Sequence, residues 1–64
     1  MEKLKTLRKS VGLTQEQLAE QLKVKRSTVA MWETGQNTPP TKYLVELADV
    51  FDCSVDELLR TETA

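Results

Sequence analysis

Apolar side chains recur at helical spacing in five stretches of the chain. Leu4, Leu7 and Val11 stand at i, i+3 and i+7 and predict a first helix with one apolar stripe. Gly12 ends it, as a residue free to take positive φ. Thr14 opens a second helix with Gln17 three residues on, a capping-box spacing, and Leu18, Ala19 and Leu22 form its inner face. Lys23-Val24-Lys25 is too short for anything but a tight turn. A third helix is predicted over about Arg26–Thr34. Val29, Trp32 and Glu33 share one side of it; Ser27, Ala30, Met31 and Thr34 lie roughly opposite, and Gly35 stops it. The prolines make Gln36-Asn37-Thr38-Pro39-Pro40 a loop. Leu44, Leu47, Ala48 and Phe51 give a fourth helix from near Thr41. After a turn at Asp52-Cys53, Ser54 caps a fifth, with Glu57 completing a second box and Val55, Leu58 and Leu59 facing inward. No stretch alternates well enough for a strand. The fold expected is a compact all-α domain of five helices.

At 64 residues with 39% apolar content, the chain has room for one small domain over residues 1–64, ordered from about 2 to 60 with a frayed tail at 61–64. Its core must be thin, so self-association bears on stability. Histidine is absent and Cys53 is the one cysteine. That removes Cys/His metal sites, disulfides and every mechanism needing a histidine base. Ser10, Ser27 and Ser54 have no partner to activate them, and there is no glycine-rich phosphate loop. The expectation is a non-enzyme without metal or cofactor. Cys53 sits between Phe51 and Val55 among acidic residues, which raise a thiol pKa, and is read as a packing residue. Apolar runs fall far short of the ~20 residues of a membrane span, and the charged N-terminus has no signal core. A cytoplasmic protein with no membrane partner is expected.

Net charge is −1 and the pI about 5.3, which taken whole argues against a nucleic-acid partner. The halves disagree, however. Residues 1–42 hold eight basic and four acidic side chains, a net of +4; residues 43–64 hold one and six, a net of −5. Screening limits each field to about 10 Å at 0.1 M salt, so a basic face can act on a net-acidic chain.

The informative unit is helix, short turn, helix over Thr14–Thr34. A turn this short makes the helices cross steeply and leaves one standing proud, able to enter a groove about 12 Å wide. The stretch TQEQLAEQLKVKRSTVAMWETGQ resembles the helix-turn-helix of the lambdoid-phage Cro/CI repressor family, also called the XRE family. The flanks LRKSVGLTQ and PPTKYLVELADVFDCSVDELL agree with it, so the resemblance runs over about residues 2–60.

The resemblance implies a regulator of transcription, a repressor, that binds double-stranded DNA as a homodimer on a palindromic operator with helix three in the major groove. It puts base reading on Lys25, Arg26, Ser27, Ala30 and Met31. A guanidinium at Arg26 can bond both O6 and N7 of guanine, and Met31 can rest against a thymine methyl; each has a plainer alternative, a phosphate contact or casual exposure. Phosphate contacts are expected at Thr14, Gln15, Lys23, Thr28, Thr34, Gln36, Asn37, Thr38 and Lys42, hydrogen-bonding or cationic residues that would equally suit a solvated surface. The amino terminus of helix two supports Gln15 there on dipole grounds as well. Arg8 and Glu33 match an ion pair of the family, and with Trp32 and Ala19 are assigned to the scaffold. No small-molecule effector is implied.

Two positions depart from the family pattern, which has glycine in the turn and a hydroxyl capping the reading helix. Lys23 must pay for left-handed geometry, and Lys25 offers no oxygen to cap with and opposes the helix dipole. Candidate dimer contacts are Val45, Val50, Val55, Leu58 and Leu59. Two other readings compete: an antitoxin-like module whose main partner is a toxin protein, with DNA binding as autoregulation, and one domain of a larger regulator.

Overall fold

A computed structural model describes residues 2–60, with the side chains of Glu2 and Arg60 left aside; the tail expected at 61–64 lies outside the described residues. Five helices follow in order: α1 (Glu2–Ser10), α2 (Gln15–Leu22), α3 (Arg26–Thr34), α4 (Thr41–Val50) and α5 (Val55–Arg60). The described residues contain no strand, and none of their helices is long and apolar enough to cross a membrane.

The chain turns sharply four times by one device. Gly12, Lys23, Gly35 and Asp52 take positive φ of 76°, 60°, 86° and 54°. In each case the next N–H reaches the carbonyl five residues back: Leu13 to Arg8 (3.1 Å), Val24 to Ala19 (3.0 Å), Gln36 to Met31 (3.0 Å) and Cys53 to Ala48 (2.9 Å). This closes the orphan carbonyls at the end of each helix and throws the following side chain back across it. Leu13, Val24 and Cys53 accordingly pack against the core, positions that helical periodicity does not flag because they lie outside the helices. Gln36, after α3, is polar and exposed.

The start of α2 is a complete capping box. Gln17 N–H donates to Thr14 Oγ1 (3.0 Å) and Thr14 N–H to Gln17 Oε1 (2.9 Å). At α5, Glu57 N–H donates to Ser54 Oγ at 3.0 Å, the hydroxyl half of the second box. The core gathers Leu4 from α1, Leu18, Ala19 and Leu22 from α2, Val29 and Trp32 from α3, Leu44 and Leu47 from α4, and Phe51 and Leu58. The α3 helix packs chiefly on α2 and also on α1; α4 packs on α5 and α2.

Three apolar expectations need correcting. Val11 is 44% exposed: it stands beyond the last residue of α1, and Leu13 takes the inward place after the turn. Leu59 is 45% exposed, because α5 turns Val55 and Leu58 inward and Leu59 lies about 100° around from Leu58. Leu58 is fully buried and so is not free for a dimer contact; Val50 and Val55 are half-buried against the core, and Val45 and Leu59 are exposed.

Cys53 is a free, half-buried thiol whose pKa burial raises, with Glu57 and Asp52 adding to the rise against Lys3. It is a packing residue poorly suited to react as a thiolate.

Both lysines of the turn carry local costs. Lys23 adopts αL backbone (φ 60°, ψ 43°), and Lys25, at the N-cap of α3, makes no capping hydrogen bond. Lys23→Gly and Lys25→Ser are each expected to raise stability by about 1 kcal/mol. For a domain of this size that is a rise in Tm of about 4–8 °C, read from thermal melts of the free protein.

Candidate nucleic-acid interface

The α3 helix is held from beneath and open above. Val29 is fully buried and Trp32 nearly so. Arg26, Ser27 and Thr34 are exposed, Thr28, Ala30 and Met31 half-buried, and Lys25 just before the helix is exposed. Protein therefore does not cover Ser27, and covers Met31 only in part. Asn37 Nδ2 donates to Met31 Sδ at 3.5 Å, and Met31 O receives the backbone N–H groups of Gln36 and Asn37. The loop after α3 thus folds back on the carboxyl-terminal half of the helix.

A hydrogen-bonded chain runs from α1 to the first residue of α3. Arg8 is 7% exposed, yet charged. Its Nε donates to Glu33 Oε2 at 2.6 Å, Nη2 to Glu33 Oε1 at 3.3 Å, and Nη1 to Leu13 O at 2.8 Å. The Glu33 side chain is 3% exposed. Gln15 Nε2 donates to Glu33 Oε1 at 3.0 Å, and Arg26 Nη1 donates to Gln15 Oε1 at 3.0 Å. Burial pushes the Glu33 carboxyl up. The hydrogen bonds from Arg8 and Gln15, with the charges of Arg8 and Lys5, more than offset it and hold the carboxyl below its ordinary value.

Two clefts collect the remaining candidates. Thr14, Gln15 and Arg26 share one with Arg8, Gly12, Leu13 and Glu16. Thr28, Asn37 and Thr38 share another with Val24, Trp32, Pro40 and Tyr43. Tyr43, which the sequence reading passed over, stacks on Trp32 at a centroid distance of 5.5 Å and a tilt of 44°, and Lys42 Nζ lies 5.1 Å from the centre of its ring. An aromatic two residues into a helix otherwise entered through polar side chains was the available signal. Lys23, Gln36 and Lys42 are exposed and belong to neither cleft. Thr34 Oγ1 donates back to Met31 O at 3.2 Å, so its hydroxyl proton is committed within the helix. Ala19 is 3% exposed in the core beside α3's inner face, where a larger side chain would push α2 and α3 apart.

The helix-turn-helix family matches residues 4–58. Among curated proteins, the chain is similar to the HTH-type transcriptional activator BcrR of Enterococcus faecalis, with 46% identity over 95% of this chain and 30% of the relative. It is similar also to the cryptic phage CTXphi transcriptional repressor RstR of Vibrio cholerae (33% identity, 89% of this chain, 51% of the relative). The HTH-type transcriptional regulator DicA of Escherichia coli is 38% identical over 83% of this chain and 39% of its own length. The chain spans about half or less of the length of these relatives. No solved structure matches it at the same level of significance.

Proposed function

Because the chain belongs to the Cro/CI-type helix-turn-helix family, a family of DNA-binding regulators and not of enzymes, we propose that it binds double-stranded DNA sequence-specifically and regulates transcription in the cytoplasm. The observation that carries this reading is the exposed amino-terminal half of α3 standing on a buried floor of Val29 and Trp32, with its first side chain, Arg26, tethered through Gln15 to a buried ion pair.

In this reading α3 lies in the major groove. Lys25, Arg26, Ser27, Ala30 and Met31 face base edges, with the Arg26 guanidinium on guanine O6 and N7. The bond to Gln15 uses one of five guanidinium N–H donors and leaves the others for the base. Gln15 keeps its second amide N–H for a phosphate, beside the free backbone N–H groups at the start of α2. Thr14 and Gln15 line one side of the reading helix; Thr28, Asn37 and Thr38 line the other. Lys23, Lys42, Thr34 and Gln36 complete the backbone contacts, and for Thr34 the hydroxyl must first leave Met31 O. The lysines of the turn then serve phosphates at the expense of local stability, so Lys25→Ser, though the more stable protein, should bind DNA more weakly; equal binding would refute that exchange.

The described residues measure 27 Å along the longest axis and carry one such helix. Two half-sites one helical turn apart, about 34 Å, call for two copies, and a homodimer on a palindrome satisfies that. Val45 and Leu59 are the exposed apolar candidates for its contact. Repression follows where the bound dimer overlaps a promoter.

In vitro selection of bound oligonucleotides tests the proposal: it is expected to return a two-fold symmetric site. Arg26→Ala should then cut discrimination at one base pair of each half-site by about 5- to 150-fold, corresponding to about 1–3 kcal/mol. Uniform weakening on all sequences would make Arg26 a phosphate contact instead.

A further inference from the structure

We propose that Glu33, a buried side chain, is a specificity-determining positioning residue: it fixes the orientation of the Gln15 amide and through it the aim of Arg26. The inference rests on the base-reading role proposed for Arg26.

Donor and acceptor chemistry fixes how the three side chains can meet. An ionised carboxylate accepts hydrogen bonds and donates none, and a guanidinium donates and accepts none. Gln15 stands between them, 3.0 Å from Glu33 Oε1 on one side and 3.0 Å from Arg26 Nη1 on the other. Of the two orientations of its amide, one satisfies both neighbours: NH2 toward Glu33 and carbonyl toward Arg26. The flipped amide would set an oxygen against the carboxylate and two N–H protons against the guanidinium. Glu33 itself cannot swing away to admit that state. Both its oxygens are held by Arg8, which is held in turn by Leu13 O, and its carboxyl stays ionised because the same contacts keep its pKa low. The rigid end of the chain is therefore the buried one, and its polarity passes outward to an exposed arginine that would otherwise sample several rotamers.

This predicts what a neutral side chain at position 33 does. In Glu33→Gln the carbonyl is expected to keep the place of Oε2, where Arg8 Nε makes the shorter bond, leaving the amide NH2 in the place of Oε1. An NH2 there faces the NH2 of Gln15. Gln15 flips, and its N–H groups then repel Arg26. Gln15→Met removes the relay at its middle without touching the Arg8–Glu33 pair.

The experiment compares Arg26→Ala, Glu33→Gln and Gln15→Met on the selected DNA site and on single-base variants of it, at a temperature where each is folded by circular dichroism. The quantity read is the ratio of affinities for the selected and varied base at the pair that Arg26→Ala affects. Both other variants are expected to lower that ratio about fivefold, the worth of one net hydrogen bond, and to lower it no further when Arg26 is already alanine. A phosphate-only role for Gln15, or a purely structural one for Glu33, would weaken all sequences alike and leave the ratio unchanged, and that overturns the proposal. If Glu33→Gln does not fold, the Gln15→Met ratio together with slowed-exchange Nη protons of Arg26, present in the parent and lost in Gln15→Met, decides. If Arg26→Ala leaves discrimination intact at every pair, the base-reading role falls and takes this inference with it, an outcome distinct from Arg26 reading a base without help from Gln15 and Glu33.

Discussion

Glu33→Ala should lose about 3–5 kcal/mol of stability. A chain of 64 residues has in total about 3–10 kcal/mol to lose. The size of the effect comes from what remains, not from what is removed. Arg8 is 7% exposed, and without Glu33 its charge keeps one partner, the carbonyl of Leu13. Arg8→Ala strands the Glu33 carboxylate in the same way, with the hydrogen bond from Gln15 and the charge of Lys5 left to support it. Replacing both residues by apolar ones, Arg8→Met with Glu33→Leu, removes both desolvation penalties and should recover most of the loss, so the double variant melts well above either single one. Denaturant titration of the four proteins measures this. A single-variant loss under about 1 kcal/mol would mean that water screens the pair and that it does not brace α3 against α1.

The same pair sets an acid limit. The Glu33 carboxyl is held below the ordinary value of 4.5, so the folded chain binds this proton less readily than the unfolded chain does. Its contribution is complete above the unfolded value, begins to fade as pH falls through 4.5, and is gone below the depressed folded value. The double apolar variant lacks this component, and the stability gap between it and the parent should move in its favour over that range.

The helices were legible from periodicity because each carries one stripe: Leu18, Ala19 and Leu22, or Leu44, Leu47 and Ala48, are inward in the structure as in the pattern. The positive φ inside the turns was legible from the residue type only where glycine marks it. Gly12 and Gly35 announce positive φ; Lys23 needed the family pattern to point to it, and Asp52 takes the same backbone with a side chain that hides the fact. What periodicity misses are the residues just after such turns. Leu13, Val24 and Cys53 join the core through a backbone geometry that has no period. It also overcounts at helix ends, where Val11 and Leu59 fall outside the packed face. Of the candidate site, the resemblance brought Arg8 and Glu33 together, and they lie 2.6 Å apart. It gave Gln15 and Arg26 separate duties, whereas their hydrogen bond joins them. That link depends on side-chain reach between two helices, which sequence spacing does not encode.

DNA affinity should fall about 10³-fold between 50 and 200 mM salt if the proposed dimer forms. Three exposed lysines per chain, Lys23, Lys25 and Lys42, are assigned to phosphates, about six per dimer. Each phosphate neutralised adds about −0.9 to the slope of log affinity against log salt, so the slope should lie near −5. A single copy would give about half that, which makes the slope a test of stoichiometry as well as of charge. The net charge of −1 does not weaken this expectation. Glu46, Asp49, Asp52, Asp56 and Glu57 lie on α4, the turn after it and α5, while Lys23, Lys25 and Arg26 cluster at the turn before α3. Past a Debye length of about 10 Å the acidic groups are screened from the phosphates. Lys23→Gln or Lys42→Gln should flatten the slope by about 2 in the dimer while leaving the order of preferred sequences as it was. Arg26→Ala should change that order. A slope shallower than about −2 for the parent would mean that these cations do not meet phosphates, and the orientation of α3 on DNA would have to be abandoned.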